Sequence, residues 1–466
     1  MPNFTTTNHD IFAADARRPP IALKPDMVGL RRSTLVLIAL AAALYPRVLA
    51  AIGVPAFINF AHFAVVLLFF FISLNVRGKF NRRILFGLLA LFGVIAFSAL
   101  INQFALVNVA LDFLLLAEPF LLLSIIVAGR WTAERIRQFR FVLFAYVLIH
   151  VAFAFVQRLV FNLTDDDVKG IFLNQGAGHH VGGGVALTAA VYFVVVPWTK
   201  SLKWRIALGL ASFMVVVFSD SKQVLLAFLI SMALMMFIRA GDVRRLFAYA
   251  GAAIFGAATI YILATTVFPA LGVWMDVYKI HDGLAAKLSV FPNIVKFFDS
   301  PLDWLFGLGP GGSVGRLAWL IPDYYQFLQP LGVTASDVPR AIIAVQEANW
   351  ISNSVTGSSI WSLTFSWAGV WGDLGFLGTG VYLYLWWLVW RHVCRTDVSK
   401  YLLLTVFVFG FIFAWMEEPG FMLTVIAFIG LQWQESHLQA KAEPFHAAAA
   451  DHIPRPTAAV SGFAKI

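Results

Sequence analysis

The sequence predicts an all-α protein that crosses a membrane many times. Of its 466 residues, 60% are hydrophobic and only 13% are charged, whereas a soluble domain carries about 25% charged residues. Apolar runs long enough to cross a bilayer, roughly 20 residues each, recur along most of the chain. Basic residues are concentrated in alternate loops between these runs, as is typical of loops that face the cytoplasm.

About twelve apolar segments meet the length criterion for a transmembrane helix. The predicted spans are 34–53, 57–75, 84–101, 105–127, 139–160, 181–197, 204–218, 223–238, 245–268, 367–390, 401–416 and 420–434. The first is interrupted by Tyr45, Pro46 and Arg47. A proline is tolerated there if neighbouring helices satisfy the carbonyl that it leaves free.

The loops between these spans form two alternating sets that differ in charge. One set is basic and comprises 77–83, 129–140, 198–205, 239–245 and 391–400. The other set is acidic, mixed or poor in Lys and Arg. Because Lys and Arg concentrate in cytoplasmic loops, we expect an even number of spans, both termini in the cytoplasm and the long polar stretch 269–366 outside.

This topology divides the chain into five regions. They are a cytoplasmic N-terminal tail at 1–33, transmembrane helices 1–9 at 34–268, a large outward loop at 269–366, transmembrane helices 10–12 at 367–434 and a cytoplasmic C-terminal tail at 435–466. The C-terminal tail is rich in alanine and contains prolines, so we expect it to be disordered. The N-terminal tail is polar and lacks the apolar core of a signal peptide.

Composition also excludes some classes of function. The formal net charge is +9, but no basic stripe lies on a soluble domain, so nucleic acid is not an expected partner. Cys394 is the single cysteine, which excludes an intrachain disulfide framework. We find no internal repeat and no paired interrupted helices of the kind that mark inverted-repeat transporters.

Two short outward loops hold basic residues that can bind an anion. Lys169, His179 and His180 adjoin a glycine-rich helix start, and helix N-terminal amides favour anions; an ordinary polar loop is the alternative. Two adjacent histidines without a third ligand do not indicate a metal site. Lys222 either holds a lipid-linked phosphate or snorkels to the membrane surface and pairs with Asp220.

The long loop contains a second group of cations around a glycine-rich turn. Lys287, Lys296 and Arg316 flank this turn at 307–312. Glycines permit positive φ and close approach of the backbone to a ligand. Such turns are also common in loops that bind nothing.

Further along the loop, Arg340 and Glu347 fall on roughly one face of a predicted short helix. They are either a solvated face of that helix or an anion-binding arginine beside a carboxylate that can accept a proton.

Ionisable residues also occur within the spans and at their ends. Asp112 and Glu118 lie inside one span, where such a residue is a functional candidate or a structural hydrogen-bonding centre. Glu417 and Glu418 lie at an outer helix end, and we expect them to be solvated.

Four segments share their order with the motifs of one protein family. They are KGIFLN at 169–174, SDSK at 219–222, the segment from Lys287 through SPL at 300–302 to GLGPG at 307–311, and GDLGFLG at 372–378. They resemble the basic-x-G-x-F-x-N loop, the S-R turn, the R…P-L-x-G-x-G-x-G segment and the E-x-G-x-x-G helix start of the O-antigen ligase and O-antigen or exopolysaccharide polymerase superfamily of bacterial inner membranes. The resemblance covers essentially residues 34–434. It implies a GT-C-like fold of about twelve helices, with a long, partly helical periplasmic loop before the last three.

The activity that the resemblance implies is glycosyl transfer from a polyprenyl-diphosphate-linked oligosaccharide, at the periplasmic face and without a cofactor or metal. The departing diphosphate needs cations, and a base can accept the proton of the acceptor hydroxyl. Our hypothesis assigns the diphosphate to Lys169, Lys222, Lys287 and Arg340, with Lys296 and Arg316 in reserve. The candidate bases are Glu347 first, Asp373 second and His179 or His180 third. The candidate substrate contacts are Asn174, His179 and His180.

Two departures from the family pattern bear on function. Lysine stands at Lys169, Lys222 and Lys287 where the family usually has arginine, which retains the charge but not the bidentate fork. Ligases typically carry a histidine just before the glycine-rich helix start, whereas the only histidine of the long loop here is His281, far upstream.

The missing histidine favours a polymerase, which joins lipid-linked repeats of O-antigen, capsule or exopolysaccharide, over a ligase, which passes the glycan to lipid A core or another acceptor. A transporter or flippase is the third alternative, disfavoured because most charges lie at the outer surface. The expected partners are the bilayer, the lipid-linked donor and acceptor, a chain-length regulator and a flippase.

Overall fold

The computed structural model describes residues 27–73, 78–129, 131–173, 177–239, 277–352 and 359–451, together with the isolated positions 244, 247 and 251. These residues form α-helices and short 3-10 helices, and no β-strand occurs among them. Over this part of the chain the protein is therefore all-α, as the sequence predicts.

The helices fall into three groups along the chain. The first contains α1 (Met27–Leu44), α2 (Pro46–Ala51), α3 (Ala61–Ser73), α4 (Lys79–Ile101), α5 (Leu106–Ala128), α6 (Ala133–Leu159), α7 (Gly178–Val195), α8 (Leu202–Phe218) and α9 (Lys222–Arg239). The second contains α10 (Val277–Leu288), α11 (Val290–Val295), α12 (Pro301–Phe306), α13 (Arg316–Asp323), α14 (Tyr325–Leu328) and α15 (Val338–Ser352). The third contains α16 (Ser366–His392), α17 (Asp397–Phe409) and α18 (Pro419–Asp451). Short 3-10 helices cover Ala56–Phe60, Asp165–Asp167, Gln329–Leu331, Ser359–Trp361 and Trp415–Glu417.

Six helices of the described chain are long and apolar enough to cross a membrane. They are Ser33–Ala51, which combines most of α1 with α2, and the helices α4, α5, α6, α7 and α9. Helices α3, α8, α16, α17 and α18 overlap further predicted spans. The predicted span 245–268 lies outside the described ranges. These features are typical of a helical membrane protein.

Contacts between distant loops define one end of the bundle. Arg140 pairs with Glu435 at 2.5 Å, and Arg239 pairs with Asp397. Arg140, Arg239 and Asp397 lie on or beside loops of the basic set, and Glu435 begins the C-terminal tail that is expected on the same side. We call this the basic end.

The opposite end holds the short helices of the second group. Asn102, just after α4, donates to the carbonyl of Gly307 at 3.1 Å, and Asn108, near the start of α5, donates to that of Pro310 at 3.1 Å. We call this the site end. The two sets of loops that differ in charge therefore lie at opposite ends of the same helices.

The C-terminal helix differs from the prediction. Because α18 runs to Asp451, the stretch 435–451 is helical rather than disordered. Arg140 and Gln432 both donate to the Glu435 carboxylate, at 2.5 and 3.0 Å, which ties this stretch to the bundle. Alanine, which is abundant there, is also the best helix former.

Proline explains the break in the first span. Pro46 occupies the start of α2, where a helix needs no N–H donor from it. The N–H of Tyr45 still donates to the carbonyl of Ala41 at 2.9 Å, and the Tyr45 hydroxyl donates to the carbonyl of Val142 at 3.0 Å. The break is thus held against α6, and Arg47 follows it directly.

Candidate functional site

A cavity of about 570 Å³ opens at the site end. Its walls come from α2, from the 3-10 turn before α3, and from α3, α5, α7, α13 and the turn between α17 and α18. The lining is mainly apolar and aromatic, and its polar members are Arg47, Asn59, His62, Arg316, Asp323, Tyr324 and Thr364. A concave, largely apolar site with a few convergent polar groups is the usual form of a ligand-binding cavity.

Two arginines in the cavity wall share one buried carboxylate. Arg47 donates through Nη2 to Glu418 Oε1 at 3.2 Å, and Arg316 forms an ion pair with Glu418 Oε2. The Glu418 side chain is fully buried, whereas 12% of Arg47 and 22% of Arg316 remain exposed. A buried carboxylate is stable only when it is paired in this way. Glu418 therefore fixes both guanidinium groups beside the cavity.

Glu417 lies behind Arg316. Its Oε2 accepts the backbone N–H of Arg316 at 2.7 Å. Burial raises the pKa of Glu417 to about 8, and the bond from the Arg316 N–H opposes that rise only in part. At neutral pH Glu417 is therefore mostly protonated. The two guanidinium groups of Arg47 and Arg316 then share the single carboxylate of Glu418, so this group of three has a net positive charge. Asp323 contributes a separate carboxylate to the cavity lining.

Both glutamates correct the sequence prediction. Glu417 and Glu418 are expected to be solvated at a helix end, but both are buried, with 2% and 0% exposed. The correction has a local cause. The turn Trp415–Glu417 packs against the start of α13. There the backbone N–H of Arg316 donates to Glu417, and the guanidinium of Arg316 pairs with Glu418.

A histidine and a glutamate form a second polar pair at the cavity. His62 Nδ1 lies 2.5 Å from Glu118 Oε1, and both side chains are buried. His62 begins α3 and lines the cavity, while Glu118 lies inside α5. The sequence marked Glu118 as an ionisable residue within a span. It gave no sign that His62 would be its partner.

A separate apolar cluster holds the elements of the cavity together. It consists of Phe63, Leu115, Leu317 and Ile321. Phe63 follows His62, Leu115 lies one turn before Glu118, and Leu317 follows Arg316. Burial of these side chains, which is favourable by about 25 cal/mol per Å² of apolar surface, thus fixes the histidine pair relative to the arginines.

The loop that contains Lys169, His179 and His180 lies at the edge of the cavity. Ala177 and Val181 line the cavity, and the ring of His180 packs 4.8 Å from that of Phe413, another lining residue. His179 Nε2 lies 3.2 Å from Asp166 Oδ1. Lys169 is half-buried and its N–H donates to Gln157 at 3.0 Å. Asn174 lies outside the described residues.

Two predicted cations lie on the surface instead. Lys222 is 54% exposed and pairs with Asp220 at 2.8 Å, which is the alternative that the sequence left open. Arg340 is 74% exposed and pairs with Asp337 at 3.5 Å. Neither lines the cavity.

Lys287 is buried and fully engaged by backbone. Its Nζ donates to the carbonyls of Ile360, Ser362 and Ile412 at 2.9, 2.9 and 3.1 Å, and it lies 4.7 Å from the centre of the Phe365 ring. Burial lowers the pKa of Lys287 to about 7. An ammonium group has three donors. All three donors of Lys287 are therefore used by backbone carbonyls, and they join the second group of helices to the turn after α17.

Asp373 anchors the glycine-rich turn. Its carboxylate accepts the N–H groups of Gly311 and Ser313 at 3.2 and 2.6 Å and the Ser313 hydroxyl at 2.6 Å. The N–H of Leu308 donates to the carbonyl of Gly372 at 2.8 Å. The two glycine-rich motifs of the sequence thus pack on each other, and Asp373 is buried away from the cavity lining.

Close backbone packing explains why glycine occurs in both motifs. Gly307 has φ +73° and a Cβ there would lie 2.3 Å from the carbonyl carbon of Asp373. Gly375 has φ +63° and a Cβ there would lie 2.3 Å from the carbonyl carbon of Leu305. Only glycine adopts this backbone and leaves this space. These motifs therefore build the structure around the site.

The remaining predicted residues lie apart from the cavity. Lys296 donates to Asn293 Oδ1 at 2.8 Å. Glu347 belongs to α15, and its side chain is not among those described. Of the residues assigned from sequence to the diphosphate or to the base, Arg316 is the one that the described structure places in the cavity wall.

Sequence reasoning missed Arg47 and His62. A usable signal existed for Arg47, because it is a charge inside an apolar span directly after a proline, where function is the default reading. His62 is the second residue of an otherwise apolar helix. A polar residue in that position is a similar but weaker indication of function.

Comparison with known proteins does not assign the chain to a family. No protein-family model matches the chain, and no curated protein matches its sequence.

Proposed function

We propose that the protein is a membrane glycosyltransferase that joins polyprenyl-diphosphate-linked oligosaccharide repeats, that is, a polysaccharide polymerase. The observation that carries this proposal is the pair Arg47 and Arg316, which share Glu418 in the wall of a largely apolar cavity. A diphosphate joined to a hydrocarbon chain is the ligand class that needs both features.

The arginines supply what the reaction needs at the leaving group. As the bond between the sugar and the diphosphate breaks, negative charge grows on the departing phosphate oxygen. Guanidinium groups bind phosphate oxygens in a bidentate manner and stabilise that charge. Because Glu418 holds both groups before substrate arrives, little reorganisation is needed during the reaction.

The proposal includes a topology of about twelve spans with a GT-C-like arrangement in a bacterial inner membrane. Separation of the basic end from the site end supports it, because basic loops favour the cytoplasm. The cavity then faces the periplasm, where polyprenyl-linked repeats are assembled by enzymes of the family that the sequence resembles.

The proposal is tested by the lipid-linked glycans that accumulate when the gene is deleted. Extracts are resolved by size, with and without a plasmid that supplies the wild-type chain. We expect single lipid-linked repeats in the deletion strain and long chains after complementation. Accumulation of long lipid-linked chains would identify a ligase instead, and an unchanged pattern would reject both.

A further inference from the structure

The pair His62 and Glu118 has the geometry of an oriented base. The distance from His62 Nδ1 to Glu118 Oε1 is 2.5 Å, and only 4% and 2% of the two side chains are exposed. A carboxylate only accepts, so with Glu118 in that form Nδ1 is the donor, and in a neutral imidazole Nε2 is then the acceptor. Within the described chain Nε2 has no hydrogen-bond partner, and the ring lines the cavity.

Two ionisable groups inside apolar helices are costly to bury, which makes this pair a candidate for function. Pro119 follows Glu118 inside α5 and has no N–H to give the carbonyl of Leu115. Leu115 itself lines the cavity. The carbonyl of Leu115 therefore lacks its usual partner within the helix, although α5 continues through Pro119.

The pair is also fixed relative to the arginines. Phe63 and Leu115 pack with Leu317 and Ile321 in one apolar cluster. This cluster joins the helix turns that carry His62 and Glu118 to α13, which begins at Arg316. One cavity therefore holds a place for a leaving group and a free imidazole nitrogen.

We infer that His62 is the general base that takes the proton from the attacking hydroxyl of the acceptor sugar, and that Glu118 positions it. This inference rests on the proposed function. The hydroxyl oxygen bonds to the anomeric carbon of the donor, and the bond from that carbon to the phosphate oxygen breaks. The electron pair of that bond leaves with the polyprenyl diphosphate beside Arg47 and Arg316. The hydroxyl proton passes to His62 Nε2 and then to water.

The test uses the full-length protein in phospholipid vesicles. Donor and acceptor are the lipid-linked oligosaccharides extracted from the deletion strain. For His62→Gln we expect kcat to fall by about 100-fold or more, with KM for the donor changed less than about threefold because the arginines are intact.

Glu118→Gln separates positioning from loss of the imidazole. A glutamine can donate to Nδ1, which places the proton on Nε2 and removes the base, so kcat should again fall by about 100-fold. The matched control is His392→Gln, a half-buried histidine at the basic end that contacts Arg83 at 3.0 Å. It should keep kcat within about twofold, as a remote substitution does.

The outcomes separate the two proposals. If wild type transfers no sugar, the proposed function fails and the base fails with it. If wild type is active and folded His62→Gln transfers sugar with the wild-type kcat, His62 is not the base. Binding of geranylgeranyl diphosphate, measured as a thermal shift, verifies that each variant is folded and binds a lipid diphosphate.

Discussion

The site end places positive charge in two different ways. On its surface, Lys222 and Arg340 are 54% and 74% exposed, and each pairs with a carboxylate of its own segment. In the cavity, Arg47 and Arg316 come from segments far apart in the chain and share the buried Glu418. From the sequence, Lys222, Arg316 and Arg340 are candidate cations of the outward loops, and Arg47 is a charge within the first span. Only the packing of helices distinguishes them.

The difference has an energetic cause. An exposed ion pair between flexible side chains contributes about 0–1 kcal/mol, because water and salt screen it. A buried carboxylate must be paired, so Glu418 requires its arginines and holds them in place. A fixed cation in a partly dry cavity also interacts more strongly with an incoming anion than a solvated one does. The cavity arginines are therefore the ones suited to a diphosphate.

The largest expected effect separates these two regions directly. Substitution of either cavity arginine by lysine retains the charge but removes the planar fork. We expect Arg47→Lys and Arg316→Lys to lower glycosyl transfer in vesicles by about 100-fold, as loss of a preorganised donor does. The surface controls Lys222→Met and Arg340→Met should stay within about threefold, since solvated groups contribute little.

A reversed result would break the comparison. If Arg340→Met stops transfer while Arg316→Lys is active, the site lies in the outward loop as the sequence suggested. Chromatography of each variant in detergent excludes loss of folded protein as the reason.

A second comparison concerns the two acidic centres, Glu418 in the cavity wall and Asp373 in the glycine-rich turn. Asp373 accepts three hydrogen bonds from Gly311 and Ser313 and does not line the cavity. We expect Asp373→Ala to lower the free energy of unfolding by about 2–4 kcal/mol, since it leaves buried donors unpaired. Thermal unfolding in detergent measures this change.

The control for this substitution is Asp337→Ala, which removes an exposed carboxylate and should change stability by less than about 0.5 kcal/mol. Activity per folded molecule should survive in Asp373→Ala. A variant as stable as wild type but inactive would instead make Asp373 the catalytic base that the sequence put second.

The contrast also shows which features of the structure can be predicted from the sequence. Hydropathy and loop charge predict the helices and the two ends, because each depends on residues close together in the chain. The two glycine-rich motifs were visible, but not that Asp373 joins them. The cavity was not visible, because Arg47, His62 and Glu418 meet only through packing between distant helices. Burial likewise decides that Lys287 bonds to carbonyls rather than to a ligand.

The smallest expected effect concerns Glu417. It tests the charge around Arg47 and Arg316 independently of the proposed base His62. Burial raises the pKa of Glu417 to about 8. Below that pH the carboxyl is mostly neutral, and above it a negative charge appears behind Arg316. Even at the dielectric constant of water, an added charge about 4 Å from an anion is worth about 1 kcal/mol. KM for the donor should therefore rise at least about fivefold as pH increases through about 8.

Glu417→Gln keeps the shape of the side chain and should hold KM constant across that range. Glu134→Gln, at the basic end, is the control and should keep the wild-type profile. Because the rise is in KM, it differs from the fall in kcat expected of His62→Gln. A KM that stays flat in wild type would mean that Glu417 does not influence the anion site.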